Sequence, residues 1–200
     1  MDSGYVHSRA EPSERSAVGT LATEVRFLDC LGTLGLLECF DFWRGCHEGD
    51  RAPLKARIDP VQMPVKILPN LFMYEVIEGR YRCRLAGTEI ATVFNDDPTG
   101  RYLDELVSPG AVAGRTRLYN GVVRSGLPVV YGGKLAPASG SPSWISFRRL
   151  LLPVSTTGAR IDIVFGMVIF PQLDKRAAAR SRLQDLPYEF EAWATPEDLA

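Results

Sequence analysis

A helix marked at both ends separates two groups of strand-like segments, and this order limits the folds open to the chain. Ser108 followed by Pro109 is typical of a helix start, and Gly126 followed by Pro128 is typical of a helix end. A hairpin of two strands precedes this helix and three strand-like runs follow it. They make one five-stranded antiparallel sheet if the last strand returns beside the first. The sequence therefore predicts an α+β domain with helices on one face of the sheet.

The strand segments are predicted from alternation and from the turns that separate them. In the hairpin, Leu71 to Ile77 and Tyr81 to Leu85 flank the turn Glu78-Gly79. Arginines alternate with apolar residues in the second run, which predicts one solvated face. The three later runs are Pro128 to Leu135, Trp144 to Val154 and Ile161 to Phe170.

An amphipathic helix is predicted within residues 23–50, before the sheet. The residues of its apolar stripe are Leu36, Phe40 and Trp43. Their spacing of i, i+4 and i+7 puts them on one side of a helix. Gly32 and Gly35 each cost roughly 1 kcal/mol relative to alanine, so the helix can be broken in its first half.

The sequence divides into four segments. They are a flexible lead-in at 1–22, the amphipathic helix at 23–50, the sheet-containing domain at 51–172 and a C-terminal tail at 173–200. The domain opens with a proline-rich connector that cannot form a long regular element. The tail is expected to form a short helix followed by a docking segment that carries aromatic and acidic side chains.

The composition is that of an ordinary globular domain: 46% hydrophobic residues, 24% charged residues and a formal net charge of −1. This balance gives no field that would attract nucleic acid or an anionic membrane. No apolar stretch approaches the roughly 20 residues of a membrane span, and no signal peptide is apparent. The four scattered cysteines do not suggest a disulfide framework. We therefore expect a cytoplasmic protein that contacts neither nucleic acid nor membrane.

Six short motifs occur in one order along the chain. They are Phe42-Trp43, Arg57-Ile58-Asp59-Pro60, Leu68-Pro69-Asn70-Leu71-Phe72, Tyr81 to Thr88, Thr99-Gly100-Arg101 and Leu150 to Val154. Together with the element order, they resemble the PAS domain family, in particular short bacterial proteins with a single PAS domain. The resemblance covers roughly Leu36 to Phe170. It implies a PAS-like five-stranded sheet in a sensory or adaptor domain, with a pocket for a small molecule between the sheet and the helices.

The resemblance leaves the ligand and any cofactor open, and it directs attention to two sets of residues. The residues expected to line the pocket are Tyr74, Arg84, Phe94, Tyr102, Tyr119, Phe147 and Phe165. For most of these aromatic residues, a place in the plain core is a commoner explanation than contact with a cofactor. Arg84, with Arg148, would offer charge to an anionic ligand or lie on a solvated strand face.

The second set is an interface. Leu36, Phe40 and Trp43 are expected to contact a second copy of the chain, giving a homodimer, or a signalling partner. Arg57 and Asp59 are expected to couple the leading helix to the domain, either as an ion pair or through a ligand contact. The predicted output of the domain is therefore a protein contact made through its N-terminal helix.

Familiar cofactor and catalytic sites each lack a required residue. His7 and His47 both lie outside the expected pocket, which disfavours haem. The pocket helix carries no cysteine for covalent flavin chemistry, and Asp96-Asp97 is more typical of a turn than of a metal site. No catalytic residue and no metal site are predicted.

Two other functions remain open at this point. One is a cone-shaped enzyme of the ketosteroid-isomerase or transport-factor type, which would need a carboxylate in an apolar pocket. Glu75 and Asp162 are the strand carboxylates that suit this role. The other is an interaction domain with a filled core and no ligand.

Overall fold

The computed structural model describes residues 26–32, 35–49, 52–137, 144–171 and 183–199. The predicted lead-in at 1–22, with His7, and the first part of the predicted tail lie outside these residues. The helices are α1 Phe27–Leu31, α2 Leu36–Gly45, α3 Thr88–Phe94, α4 Leu103–Leu106, α5 Pro109–Ser125 and α6 Pro196–Leu199. The strands are β1 Leu71–Ile77, β2 Arg80–Ala86, β3 Val129–Pro137, β4 Ile145–Val154, β5 Ile163–Ile169, β6 Leu183–Asp185 and β7 Phe190–Trp193.

The strands form one antiparallel sheet in the order β2-β1-β5-β4-β3, and β6 and β7 both pair with the far edge of β3. The last strand of the central meander returns beside the first, with Phe165 opposite Met73. The proline-rich connector forms three short 3-10 turns, Lys55–Arg57, Pro60–Gln62 and Val65–Asn70. The predicted PAS-like α+β fold is therefore confirmed.

The alternation of side chains along the strands builds a hydrophobic core on each face of the sheet. The outer core lies between the sheet, α1, α2 and the 3-10 turns; its strand residues include Met73, Leu150, Leu152, Phe165 and Met167. The inner core lies between the sheet and α3, α4 and α5; its strand residues include Phe72, Tyr74, Tyr131, Phe147, Leu151 and Val168. Helices α3, α4 and α5 thus lie on one face of the sheet, as predicted, and the leading helices, whose face the sequence did not fix, cover the opposite face.

The leading helix is broken, at the position where its two glycines stand. Gly32 and Gly35 both have positive φ, 59° and 90°, and they end α1 and begin α2. The two helices lie on the outer core, and the Trp43 indole Nε1 donates a hydrogen bond to the Pro153 carbonyl of β4 at 2.8 Å. This buried bond fixes α2 against β4.

The C-terminal tail adds two strands to the sheet, which the sequence prediction of a helix and a docking segment did not include. β7 places Trp193 over α5 at Gly121, where an added Cβ would lie 2.3 Å from the Trp193 Cη2 atom. The helix therefore needs glycine at this position to let the indole approach. The tail extends the sheet at β3 and also covers part of α5.

Candidate functional site

The inner core contains a cluster of tyrosines from three elements of the fold. Tyr74 comes from β1, Tyr81 from β2 and Tyr119 from α5. The Tyr119 ring lies 5.4 Å from the Tyr74 ring and 5.0 Å from the Tyr81 ring, both edge to face. The Tyr81 hydroxyl donates to Asn120 Oδ1 at 2.6 Å, which ties β2 to α5.

Burial keeps the acidic groups of this cluster protonated. Desolvation raises the pKa of the Tyr74 and Tyr119 hydroxyls, and it raises that of Tyr81 to about 12. Burial likewise raises the pKa of the Cys83 thiol to about 11. A protonated thiol is a poor nucleophile and a poor metal ligand. The tyrosines therefore contribute neutral hydroxyls, and no buried phenolate balances a cation here.

A cavity of about 20 Å³ lies beside these rings. Apolar side chains line most of it: Phe72, Ala86, Ile90, Pro98 and Val168. The polar lining consists of Tyr74, Tyr119 and Arg149. A volume of this size holds about one water molecule, so the pocket of the inner core is nearly filled in this conformation.

Two arginines are buried in the inner core. Arg115 on α5 and Asp185 on β6 form an ion pair with side chains that are 6% and 8% exposed. Arg149 on β4 is 5% exposed and donates from Nη1 to the Tyr131 hydroxyl at 3.1 Å. Its Nε has no hydrogen-bond partner among the described residues. Counting these three groups, the inner core holds two positive charges and one negative charge.

Sequence reasoning missed all three groups, although the sequence carried a signal for both arginines. Arg115 stands three, four and seven residues before Leu118, Tyr119 and Val122, on the buried side of α5. Arg148 and Arg149 are neighbours on a strand buried on both faces, so one of them must point inward. Asp185 carried no such signal, because its position depends on the pairing of β6 with β3.

The predicted pocket residues fall in three places. Tyr74, Tyr119 and Phe147 lie in the inner core, and Phe94 packs against that core beside Phe170, with ring centroids 6.3 Å apart. Phe165 belongs to the outer core, so it does not share a cavity with these residues. A strand reverses the direction of its side chains at each residue, and the sequence alone did not fix which face Phe165 takes.

Arg84 and Tyr102 also lie away from the inner cavity. Arg84 is exposed and pairs with Glu75 across the hairpin. Tyr102 caps α4, and the Arg80 guanidinium lies 3.8 Å from the centroid of its ring. Both residues belong to the surface around β2 and do not line the inner cavity.

The residues predicted as an interface lie beneath the leading helices. Leu36, Phe40 and Trp43 are 0% exposed, because α2 packs its apolar stripe on the sheet of its own chain. Contact of these three side chains with a partner would therefore require α2 to leave the sheet.

Arg57 and Asp59 are not paired with each other. Arg57 forms an ion pair with Glu48, just beyond α2, and thus links the helix end to the connector. The Asp59 side chain accepts a hydrogen bond from the Val61 amide at 3.0 Å and caps the next 3-10 turn. One member of the predicted pair therefore holds the helix, and the other stabilises a local turn.

The carboxylates that an isomerase-like enzyme would need are outside the inner cavity. Glu75 is held by Arg82 and Arg84 at an open groove of about 330 Å³ on the hairpin. Burial opposes its ionisation, but the two arginine hydrogen bonds outweigh burial and lower its pKa. Asp162 accepts a hydrogen bond from the Thr156 amide at 2.8 Å in the turn before β5. Glu75 lacks the raised pKa of a buried general base, and Asp162 does not line the inner cavity.

Among the described residues, no group of three or more His, Cys, Asp or Glu side chains is placed to hold a metal ion. No helix within the described ranges combines the length and apolar character needed to cross a bilayer.

Comparison with known proteins identifies the family. No curated protein matches the chain. The family model described as a PAS domain matches residues 33–169, which is more than half of the chain and begins between α1 and α2. The match agrees with the two-core sheet and with the motifs seen in the sequence. The chain therefore belongs to the PAS domain family.

Proposed function

We propose that this domain is a sensor that takes a small molecule into its inner core and relays the occupancy to the leading helices on the opposite face. PAS domains are generally sensory or interaction modules rather than enzymes. The observation that carries the proposal is that one set of strands forms both cores. On β4, for example, Arg149 faces the inner cavity while Leu150 packs in the outer core. Because both cores are close-packed, displacement of a strand must change the side-chain packing on both faces of the sheet.

The attachment of the leading helices suits a relay. Arg148 Nη1 donates to the Cys30 carbonyl at the end of α1 at 3.4 Å, and Trp43 is bonded to Pro153. Both bonds end on β4, the strand that also carries Arg149. A shift of β4 therefore changes two attachments of the leading helices together.

The output we propose is release of α2 to a partner, either a second copy of the chain or a signalling protein. Release would uncover the apolar stripe of Leu36, Phe40 and Trp43, which is fully buried in the docked state. The four cysteines are free thiols, which supports a reducing cytoplasmic setting.

A second candidate is an interaction domain without a ligand, and the small volume of the inner cavity, about 20 Å³, favours it. Native mass spectrometry of the full chain purified from its source separates the two. A retained small molecule supports the sensor, and a bare chain bound to a protein partner supports the interaction domain.

The relay is tested by filling the cavity. Ala86→Leu adds bulk to a residue that lines it, and Ala113→Leu makes the same change on the exposed side of α5. We expect Ala86→Leu to speed amide hydrogen exchange in α1 and α2 by about tenfold, equivalent to about 1.4 kcal/mol of local opening, while β4 exchanges as before. Ala113→Leu should leave α1 and α2 unchanged. Equal acceleration over all elements, or none in α1 and α2, would contradict the relay.

A further inference from the structure

The guanidinium of Arg149 has no carboxylate partner in the described part of the chain. Asp185, a buried carboxylate whose charge acts on Arg149, is already paired with Arg115. Tyr131 accepts a hydrogen bond from Arg149 Nη1, and Nε is left without a partner. An arginine keeps its charge inside proteins, so Arg149 is a buried cation with unused hydrogen-bonding capacity.

Aromatic rings offset part of the cost of burying this charge. The Arg149 guanidinium carbon lies 5.5 Å from the centroid of the Phe147 ring, 5.8 Å from that of Phe72 and 5.9 Å from that of Tyr131. These are cation–π contacts, which are weaker than an ion pair in a dry environment. The positive charge of Arg115 also repels that of Arg149, and Asp185 supplies one negative charge against these two positive charges. The site therefore still favours one further negative charge.

The cavity provides the place for that charge, because Arg149 is part of its wall. The remainder of the wall is mainly apolar, with Phe72, Ile90 and Val168 among its residues. A guanidinium binds the two oxygens of a carboxylate through paired N–H groups, and an apolar wall accepts a hydrocarbon chain.

We propose that the inner core binds a short-chain aliphatic carboxylate, with its carboxylate on Arg149 and its chain against the apolar wall. One negative charge neutralises the sum of Arg149, Arg115 and Asp185, so a monoanion suits the site better than a dianion such as phosphate. The present cavity of about 20 Å³ holds one water, so the ligand must widen it. This inference rests on the proposed sensory function, since it names the class of molecule sensed.

The test uses the full chain labelled with ¹⁵N-arginine and titrated with sodium butyrate. The Arg149 Nε–H signal is assigned by its absence in Arg149→Met. We expect this signal to shift saturably with butyrate and not with 1-butanol or with sodium chloride at matched ionic strength. No saturable shift at millimolar butyrate would overturn the proposal, and this measurement on the unaltered chain does not depend on the folding of a variant.

Two variants establish where butyrate binds. Arg149→Met keeps a long apolar side chain and removes the charge, and it should weaken butyrate binding at least tenfold. The control is Arg84→Met, which removes an exposed charge on β2 outside the inner cavity and should bind as the unaltered chain does. Equal binding by Arg149→Met would place butyrate elsewhere and overturn the proposal.

The butyrate titration and the hydrogen-exchange test of Ala86→Leu can succeed or fail independently. Saturable binding at Arg149 without any change in hydrogen exchange of α1 and α2 supports the carboxylate site and contradicts the relay. An effect of Ala86→Leu on α1 and α2, without butyrate binding at Arg149, supports the relay and overturns the carboxylate site.

Discussion

The two faces of the sheet carry cores of different chemistry. The outer core is built from hydrocarbon, aromatic and thiol side chains, and α1 and α2 cover it. The inner core includes Arg115 and Arg149, with Asp185 beside them. Apolar groups packed in place of buried charges are often equally or more stabilising. The difference indicates that the outer face supplies stability, whereas the inner face gives up stability to retain charged groups.

The strongest test of this comparison removes the largest side chain of the outer core. Trp43→Ala should lower the free energy of unfolding by about 3–5 kcal/mol, because it leaves a cavity and removes the hydrogen bond to the Pro153 carbonyl. Urea unfolding measures this loss.

Trp144→Ala is the matched control, since Trp144 is 57% exposed at the start of β4. Its substitution should change stability by no more than about 0.5 kcal/mol. A similar loss in both variants would show that the outer core is not the main source of stability.

On the inner face, the expected loss of stability comes from an unpaired charge rather than from a change in side-chain volume. Arg115→Met keeps most of the side-chain volume but leaves the Asp185 carboxylate buried without its partner. We expect a loss of about 3 kcal/mol in the free energy of unfolding, again measured in urea.

The double variant Arg115→Met with Asp185→Leu should recover most of that loss, because both charges are then absent. If the double variant is as unstable as Arg115→Met alone, packing at Arg115 rather than charge determines its contribution, and the contrast between the two faces weakens.

The sheet of five strands could be predicted because its signals are local. Alternation and the turn Glu78-Gly79 define the first hairpin, and Gly126 ends α5 in the left-handed conformation that glycine favours. Strands β6 and β7 have three and four residues and carry acidic side chains. Segments this short show no usable alternation, and they become strands only because β3 offers an unpaired edge.

The candidate site was harder to predict than the fold, because it depends on which face each residue takes. Phe165 and Val168 lie three residues apart on β5 and enter different cores. Arg149 was missed because charged residues are usually exposed, and the sequence gives no direct measure of burial. The helical spacing of Arg115 with Leu118 and Tyr119 was the clearest overlooked indication.

The smallest expected effect concerns the tail that covers the inner side of the fold. Glu191 on β7 accepts hydrogen bonds from both terminal nitrogens of Arg117 on α5, one of them at 2.9 Å, and from Trp193 Nε1 at 2.8 Å. The bonds from Arg117 outweigh burial and lower the pKa of Glu191. A carboxylate with a lowered folded pKa stabilises the fold above its unfolded pKa of about 4.3, and this contribution is lost as the pH falls through the folded pKa.

Glu191→Gln should therefore be less stable than the unaltered chain by less than about 1 kcal/mol near pH 7, because Arg117 is 56% exposed and solvent screens the pair. The difference should be smaller at about pH 3, because the stabilising charge of the unaltered carboxyl is lost as the pH falls through its folded pKa. Urea unfolding at the two pH values measures it, with Glu189→Gln as the control on a more exposed carboxylate. If Glu191→Gln is as stable as the unaltered chain at both pH values, the tail is held by the packing of Trp193 on Gly121 and not by charge, and the inner side is closed by the same kind of contact as the outer core.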